Sequence, residues 1–253
     1  MRQTRPRLFT ARLRRTALTT GLAVATLAAA TAVATPAHAV SSTLTCPGVI
    51  VIGVRGTNEA AGSGGGTYHY ASGGFGGRLN LTSSVVTETS RTARRIALKY
   101  PATAIAPIYP ISQQQGTVNL KNLVTSLGTT CSSATRFVLI GYSQGAHVIG
   151  DALASDSANR IAATYRSRIA AVVFFGDPTY RKGEPYNAGG APNTGTWPKG
   201  AGVLSEFNSR LRSYCYTGDK WCQNAADPTD VHGTKYQTSA VQTAAKNFIL
   251  SKL

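Results

Sequence analysis

Acidic side chains are scarce in this chain: 10 Asp and Glu stand against 26 Lys and Arg in 253 residues, a formal net charge of +16. A balance of that sign favours anionic polymers, cell walls or acidic membrane surfaces at long range and leaves the chemistry open. The basic residues are dispersed, with no aromatic-interleaved basic cluster, so the usual footprint of a nucleic-acid binder is missing and no nucleic-acid partner is expected. Cysteine and histidine are held to four each. Neither cysteine pair has the close spacing of zinc ligands, and few histidines accompany them, so no metal is expected. No internal repeat is visible, and no second long apolar run follows the one near the start.

That first run has a recognisable setting. Arg2, Arg5, Arg7, Arg12, Arg14 and Arg15 come first with no acidic group among them, then an apolar stretch from about Ala17 to Val33, then Ala37-His38-Ala39. This is the pattern of a secretory signal with a small-x-small cleavage site, and the apolar stretch is short for a membrane span. Arg14-Arg15 also permits a twin-arginine route. The expected division is a signal peptide over 1–39 and a single domain over 40–253, secreted to the extracellular space and monomeric. Removing six arginines from +16 leaves about +10, so the mature surface stays basic and suited to association with an anionic polymer or membrane.

Four cysteines in a secreted chain suggest two disulfides with three possible connectivities. Cys215 and Cys222 are near enough to pair locally across residues 216–221, which leaves Cys46 with Cys131. Chain-entropy reasoning gives the long bridge roughly 4–5 kcal/mol and the short one roughly 2–3 kcal/mol. The short bridge therefore reads as a device that fixes a loop.

Apolar runs of strand length stand at 49–54, 104–108, 137–140 and 169–175. Between them lie helical spacings, clearest at Leu120, Leu123, Val124 and Leu127 and again at Val241, Ala244, Ala245 and Phe248. Strands apolar on both faces, alternating with helices, predict a mainly parallel central sheet covered on both sides. The expected architecture is a three-layer α/β/α sandwich with its site at the carboxyl ends of the strands. Two segments break the alternation: 60–77, rich in Gly, Ser and aromatic residues, and 182–202, rich in Gly, Pro and Asn. Both leave strand ends where loops shape substrate pockets. Neither is apolar enough for a hydrophobic lid.

The run Gly141-Tyr142-Ser143-Gln144-Gly145 follows the apolar residues 137–140 and precedes a small-residue segment that can start a helix. Strand, sharp turn and helix make a nucleophile elbow, which pushes Ser143 out at the strand's carboxyl end. The serine needs a base. His38 falls in the signal, His69 in the glycine-rich segment and His147 four residues after the serine, whereas His232 comes last in the chain, as the elbow order requires. Asp177, Asp219, Asp227 and Asp230 lie between Ser143 and His232. Asp219 ranks first because the Cys215 to Cys222 ring would restrict its loop, and Asp177, just after 169–175, ranks second. The backbone N–H of Gln144 offers one oxyanion donor, and Thr57, in Arg55-Gly56-Thr57-Asn58, offers another.

Together, Gly141 to Ala146, Arg55 to Glu59, Phe175-Gly176-Asp177-Pro178, Asp219 inside its cysteine pair and His232 thirteen residues later resemble the cutinase family over Cys46 to Leu253. That family includes cutinases, acetylxylan esterases and cutinase-like lipases and phospholipases of actinobacteria. The resemblance implies a lidless α/β-hydrolase fold without metal or cofactor, with Ser143 as nucleophile, Asp219 as acid, His232 as base, and Thr57 with Gln144 as oxyanion hole. It also supports pairing Cys46 with Cys131 and Cys215 with Cys222, and makes Asp177 structural. The implied function is a secreted serine carboxylic ester hydrolase acting on short- to medium-chain esters such as cutin or related polyesters. The alternatives are an acetylxylan esterase, or a lipase or phospholipase acting on cell-envelope lipids. The remote rival is a non-catalytic binder of anionic surfaces.

Overall fold

Six consecutive apolar residues can be buried on both faces only in the middle of a covered sheet, and strand β1 (Val49–Val54) is buried at every position. The computed structural model describes residues 46–104 and 107–253; the expected signal peptide and the domain start at residue 40 lie outside the described residues. In chain order, β1 is followed by β2 (His69–Tyr70), α1 (Leu81–Glu88), β3 (Ala93–Leu98), α2 (Ile108–Thr130), β4 (Arg136–Tyr142), α3 (Gln144–Leu153), α4 (Ala163–Arg166), β5 (Ile169–Phe175), β6 (Asn187–Ala188), β7 (Leu211–Tyr214), α5 (Val231–Thr234) and α6 (Ser239–Leu250). The strands form one seven-stranded sheet in the order β2-β3-β1-β4-β5-β7-β6, parallel except where β2 pairs antiparallel with β3.

The period-2 alternation of strand side chains divides the core in two. Ile50, Ile52, Val54, Leu139, Val172 and Phe174 belong to one buried cluster, which they share with Leu120, Leu123 and Val124 of α2 and Val148 and Ile149 of α3. Val49, Val51, Val138, Ile140, Val173 and Phe175 belong to the other, with Leu81 and Val85 of α1 and Val241, Ala245 and Ile249 of α6. The molecule is thus a three-layer α/β/α sandwich. Close packing of α2 on α3 depends on Gly116, where a Cβ would lie 2.6 Å from Val148 Cγ2.

The strand expected at 104–108 is not found. Ala104 is irregular, Ile105 and Ala106 lie outside the described residues, and Ile108 opens α2. The strand beside β1 is β3 instead, whose Arg94 and Arg95 break the apolar run. Arg95 lies over the Phe75 ring at 4.5 Å and bonds Thr82 at 3.2 Å, so this side of the strand is covered by a cation and not by an aliphatic chain. Segment 60–77 contributes the edge strand β2, and segment 182–202 contributes β6.

The sheet order reverses direction at β1: the chain passes from β1 to β3 on one side, then returns to β4 on the other. The crevice at the carboxyl ends of β1 and β4 is the switch point where ligands bind in such sheets.

Candidate active site

Ser143 sits at the end of β4 with φ 52° and ψ −119°, a conformation costly for a residue with a Cβ. Its N–H donates to the Phe175 carbonyl at 2.8 Å, and its carbonyl accepts from Ala146 and His147. The flanking glycines are dictated by contact: a Cβ at Gly141 would lie 2.6 Å from the Ala146 nitrogen, and one at Gly145 would collide with the Val54 carbonyl.

The structure brings Ser143, His232 and Asp219 together. Ser143 Oγ lies 2.9 Å from His232 Nε2, and His232 Nδ1 lies 2.8 Å from Asp219 Oδ2. The Asp219 side chain is fully buried, whereas Ser143 and His232 each retain 9% exposure, enough to meet a small reacting group. Asp219 Oδ1 accepts from the N–H groups of Trp221 (2.8 Å) and Cys222 (2.9 Å), and Oδ2 also accepts from the Tyr236 hydroxyl (2.6 Å). Burial pushes the Asp219 carboxyl up, but the hydrogen bond and charge of His232, then the Tyr236 and Cys222 donors, outweigh it and hold the carboxyl below its ordinary value. A carboxylate only accepts, so His232 carries its proton on Nδ1 and leaves Nε2 free to accept from the serine. Burial and the Asp219 charge push the Tyr236 hydroxyl well up, which keeps it a donor.

The backbone around His232 is tied on several sides. Asp227 accepts from the His232 N–H at 3.0 Å, and Asp230, at φ 51°, caps α5 by accepting from Gly233 at 3.1 Å. The Tyr142 hydroxyl donates to the His232 carbonyl at 2.9 Å. Arg78 donates through Nε and Nη2 to the Gly233 carbonyl at 3.0 and 2.8 Å, and pairs with Glu59 at 3.3 Å. No motif marks Arg78, and sequence reasoning missed it together with Tyr236.

Thr57 lies half-buried in a tight turn at the end of β1, closed by Glu59 N–H to Gly56 carbonyl at 3.2 Å with Asn58 at φ 57°. A positive φ at that third position is the type II geometry. Glu59 clamps the turn by accepting from Gly56 (2.7 Å) and Gly77 (2.8 Å), and buried Arg55 holds it from beneath by donating to the Glu59, Tyr100 and Pro101 carbonyls. Gln144 opens α3, where backbone N–H groups have no intrahelical acceptor and the helix dipole favours negative charge. Its side-chain amide donates to the Thr103 carbonyl at 3.1 Å.

The remaining candidates are occupied elsewhere. Asp177 Oδ1 accepts from the Thr179 N–H (2.8 Å) and hydroxyl (2.7 Å), which folds its own loop. His147 lies between the Tyr109 hydroxyl (3.2 Å) and Asp151 (3.4 Å), and His69 is in β2. The disulfides join Cys46 to Cys131 and Cys215 to Cys222, with Cα separations of 5.3 and 5.9 Å. Among the described residues no group of three or more His, Cys, Asp and Glu is placed to hold a metal ion, and no helix is long and apolar enough to cross a membrane.

The family described as "Cutinase" matches residues 45–253. "Acetylxylan esterase 2" of Talaromyces purpureogenus is 26% identical over 88% of this chain and 94% of its own length. "Acetylxylan esterase" of Hypocrea jecorina is 30% identical over 82% of this chain and 68% of its own. Among solved structures, the catalytic core domain of acetyl xylan esterase from Trichoderma reesei superposes with a TM-score of 0.69 at 28% identity, covering 82% of this chain and all of that one. A serine with an imidazole and a buried carboxylate in line, beside free helix N–H groups, is equipped for acyl transfer.

Proposed function

This chain belongs to the cutinase family, and from that membership we propose that Ser143, His232 and Asp219 carry the reaction of a secreted enzyme. It is a serine esterase, a carboxylic ester hydrolase. The reading of the site rests above all on the unbroken line from Ser143 Oγ to His232 Nε2 and from His232 Nδ1 to Asp219.

His232 Nε2 takes the hydroxyl proton as Ser143 attacks the ester carbonyl, and Asp219 stabilises the imidazolium that results. The carbonyl oxygen becomes an oxyanion against the N–H groups of Gln144 and Thr57, donors fixed by the elbow and by the clamped turn before any charge develops. Collapse of the tetrahedral species transfers the proton from Nε2 to the leaving alcohol and leaves an acyl-enzyme. Water then attacks the acyl carbonyl as the same nitrogen takes its proton, and that proton passes to Ser143 Oγ as its bond to the acyl group breaks and the acid leaves. The basic start of the chain and the two disulfides support export. The mature domain is taken as 40–253 and as a monomer. Its surface charge favours contact with an anionic polymer or membrane.

The substrates proposed are short- to medium-chain esters, with cutin or a related polyester as the natural class. A second reading, removal of acetyl groups from a polysaccharide, is favoured by the similarity to acetylxylan esterases over most of the chain. Hydrolysis of p-nitrophenyl esters from acetate to palmitate, beside Ser143→Ala, tests both. Turnover in Ser143→Ala is expected to fall by about three orders of magnitude or more. An optimum at butyrate or longer supports the polyester reading, and strict preference for acetate supports deacetylation. Near-wild-type turnover in the variant overturns the assignment of Ser143.

A further inference from the structure

The amino ends of the parallel strands, opposite the catalytic line, carry a row of arginines with few acids to answer it. Arg91 precedes β3, Arg136 opens β4, Arg168 precedes β5 and Arg210 precedes β7, while Arg160 and Arg166 lie in the connection that leads into β5. Glu206 accepts from Arg160 at 2.8 Å and from Arg166 at 2.9 Å, and stands 3.9 Å from Arg210. Glu88 is taken by Lys246 at 2.6 Å, and Asp156 lies toward segment 182–202, 3.9 Å from where a Cβ on Gly200 would stand. Among the described residues no carboxylate pairs with Arg91, Arg136 or Arg168.

A cleft of about 640 Å³ opens here, with Ser133, Arg136, Thr164, Ser167 and Arg168 in its lining and no carboxylate among the described residues that form it. Arg168 is buried and committed to structure. It lies over the Phe137 ring at 5.0 Å and donates to the Gly128, Ser132 and Thr135 carbonyls at 2.7, 2.6 and 3.1 Å, which satisfies groups left over at the end of α2. Its charge still counts: burial, then the Arg136 charge, push the Arg168 guanidinium down, so the two cations feel each other. Arg136 is committed far less. It donates to the Ser133 carbonyl at 2.8 Å, and the rest of its five-donor fork meets no acceptor among the described residues. Arg91 reaches the same turn, donating to the Ala134 carbonyl at 3.1 Å.

We propose that this cleft anchors the protein to an extended polyanion whose repeating group is a phosphate or a carboxylate, with Arg136 as the fork that grips it and the Arg91 and Arg168 charges beside it. Net charge favours anions anywhere on a basic surface, whereas a concave site with unanswered guanidiniums says where the contact falls and which way the molecule then faces. A guanidinium meets two oxygens of one oxyanion at once, and the Ser133 and Thr164 hydroxyls offer further donors. A polymer is favoured over a bilayer because the exposed large apolar side chains, Ile108, Ile111 and Trp197, lie in α2 and in segment 182–202 and none lines the cleft. The cations therefore bring no apolar wedge with them into a membrane. Arg136 and Ser143 stand at opposite ends of β4, about 20 Å apart at the rise of a strand. A polymer held at Arg136 leaves the serine facing away from it, so the tether does not cover the catalytic line.

The test titrates the protein calorimetrically with long-chain inorganic polyphosphate, with poly-L-glutamate and with phosphatidylglycerol-containing vesicles, each at about 50 and 200 mM salt. Saturable binding of a polymer that weakens with salt is expected, and the tighter of the two identifies the repeating group. Arg136→Gln should weaken it by about tenfold and flatten its salt dependence. Arg136→Lys keeps the charge but not the fork, so it should recover only part of the loss. Thr164→Glu places an acid in the cleft at an exposed position in the first turn of α4, where a helix tolerates it, and should weaken binding by about as much as Arg136→Gln. Lys182→Gln removes one exposed charge from the segment beyond the carboxyl end of β5 and should leave binding within about twofold. Hydrolysis of p-nitrophenyl butyrate should stay within about twofold of wild type in all four variants, with circular dichroism unchanged. Equal losses from Arg136→Gln and Lys182→Gln would reduce the effect to diffuse surface charge and overturn the site, as would tighter binding to the vesicles than to either polymer. Absence of ester turnover in the unaltered protein would overturn the esterase reading instead, and the titrations would still decide the cleft.

Discussion

A Cβ on Gly176 would stand 2.9 Å from His232 Cε1 and 3.0 Å from its Nδ1, so the imidazole packs directly on the backbone that leaves β5. Gly176 also has φ 59°, where L side chains are strained. Gly176→Ala should displace the imidazole from both partners and lower kcat by about 10- to 100-fold with a smaller change in KM. Steady-state kinetics beside a melting curve checks this; a variant that melts earlier but turns over normally would show that the ring tolerates the methyl group.

The two aspartates ranked at the sequence level have separable surroundings. Asp219 faces His232, whereas both bonds to Asp177 Oδ1 come from Thr179, two residues on. Asp219→Asn should cost up to about four orders of magnitude in kcat. Asp177→Asn should cost about 1–2 kcal/mol of stability and leave turnover per folded molecule intact. A larger kinetic loss at Asp177 in folded protein would reverse the assignment of the acid.

The reach of sequence reasoning depended on whether a residue's task is local. Ser143 and its glycines announce themselves because strand, turn and helix are contiguous in the chain. The central strands β1, β4 and β5 are legible because burial on both faces demands unbroken apolar runs. β3 and β7 are not, because Arg94, Arg95 and Arg212 interrupt them, and in β3 the Arg95 guanidinium over the Phe75 ring does the covering. The run at 104–108 misled for the converse reason: apolar character alone does not tell a strand from the start of a helix, and Ile108 opens α2. Arg78 lies 155 residues before the Gly233 carbonyl it holds, and Tyr236 reaches Asp219 across 17. No periodicity or spacing records such contacts, which exist only once the sheet has brought the loops together.

Tyr236→Phe removes the 2.6 Å donor to Asp219, together with an acceptor for the Tyr216 backbone and a 3.3 Å contact with Cys222 Sγ. The folded Asp219 carboxyl is held below its ordinary value of 3.8, so it contributes stability that is present above that value and lost as pH falls through the folded one. Without the hydroxyl the carboxyl is depressed less. The variant should therefore be less stable at neutral pH and show a shallower stability loss below about pH 4. Urea midpoints measured from neutral to acid pH test this, and parallel curves for the two proteins would mean that the hydroxyl does not act on Asp219.

Arg78 joins the two loops that flank the serine, since one guanidinium meets Glu59 of the turn proposed as part of the oxyanion hole and the Gly233 carbonyl next to His232. Arg78→Met keeps much of the stem and deletes the bridge. It is expected to lower kcat by about tenfold, because a loosened base and a loosened oxyanion donor both raise the barrier while ground-state binding changes little. A change confined to KM would place Arg78 in substrate binding instead.

The Cys215 to Cys222 bridge closes a ring of seven-residue separation around Asp219, so its stability contribution is limited to about 2–3 kcal/mol. Its position argues for more. Trp221 and Cys222 present the two N–H groups that hold Asp219 Oδ1, and Trp221 meets His232 with its ring. Opening the ring releases the chain that carries the acid, both of its backbone donors and one side of the base. Replacing both cysteines by serine should therefore reduce turnover per folded molecule by about tenfold or more, beyond what the lost stability explains. Kinetics at a temperature where circular dichroism shows both proteins fully folded separates the two effects. Equal turnover under that condition would mean that Trp221, Cys222 and Tyr236 hold the carboxylate without help from the bridge.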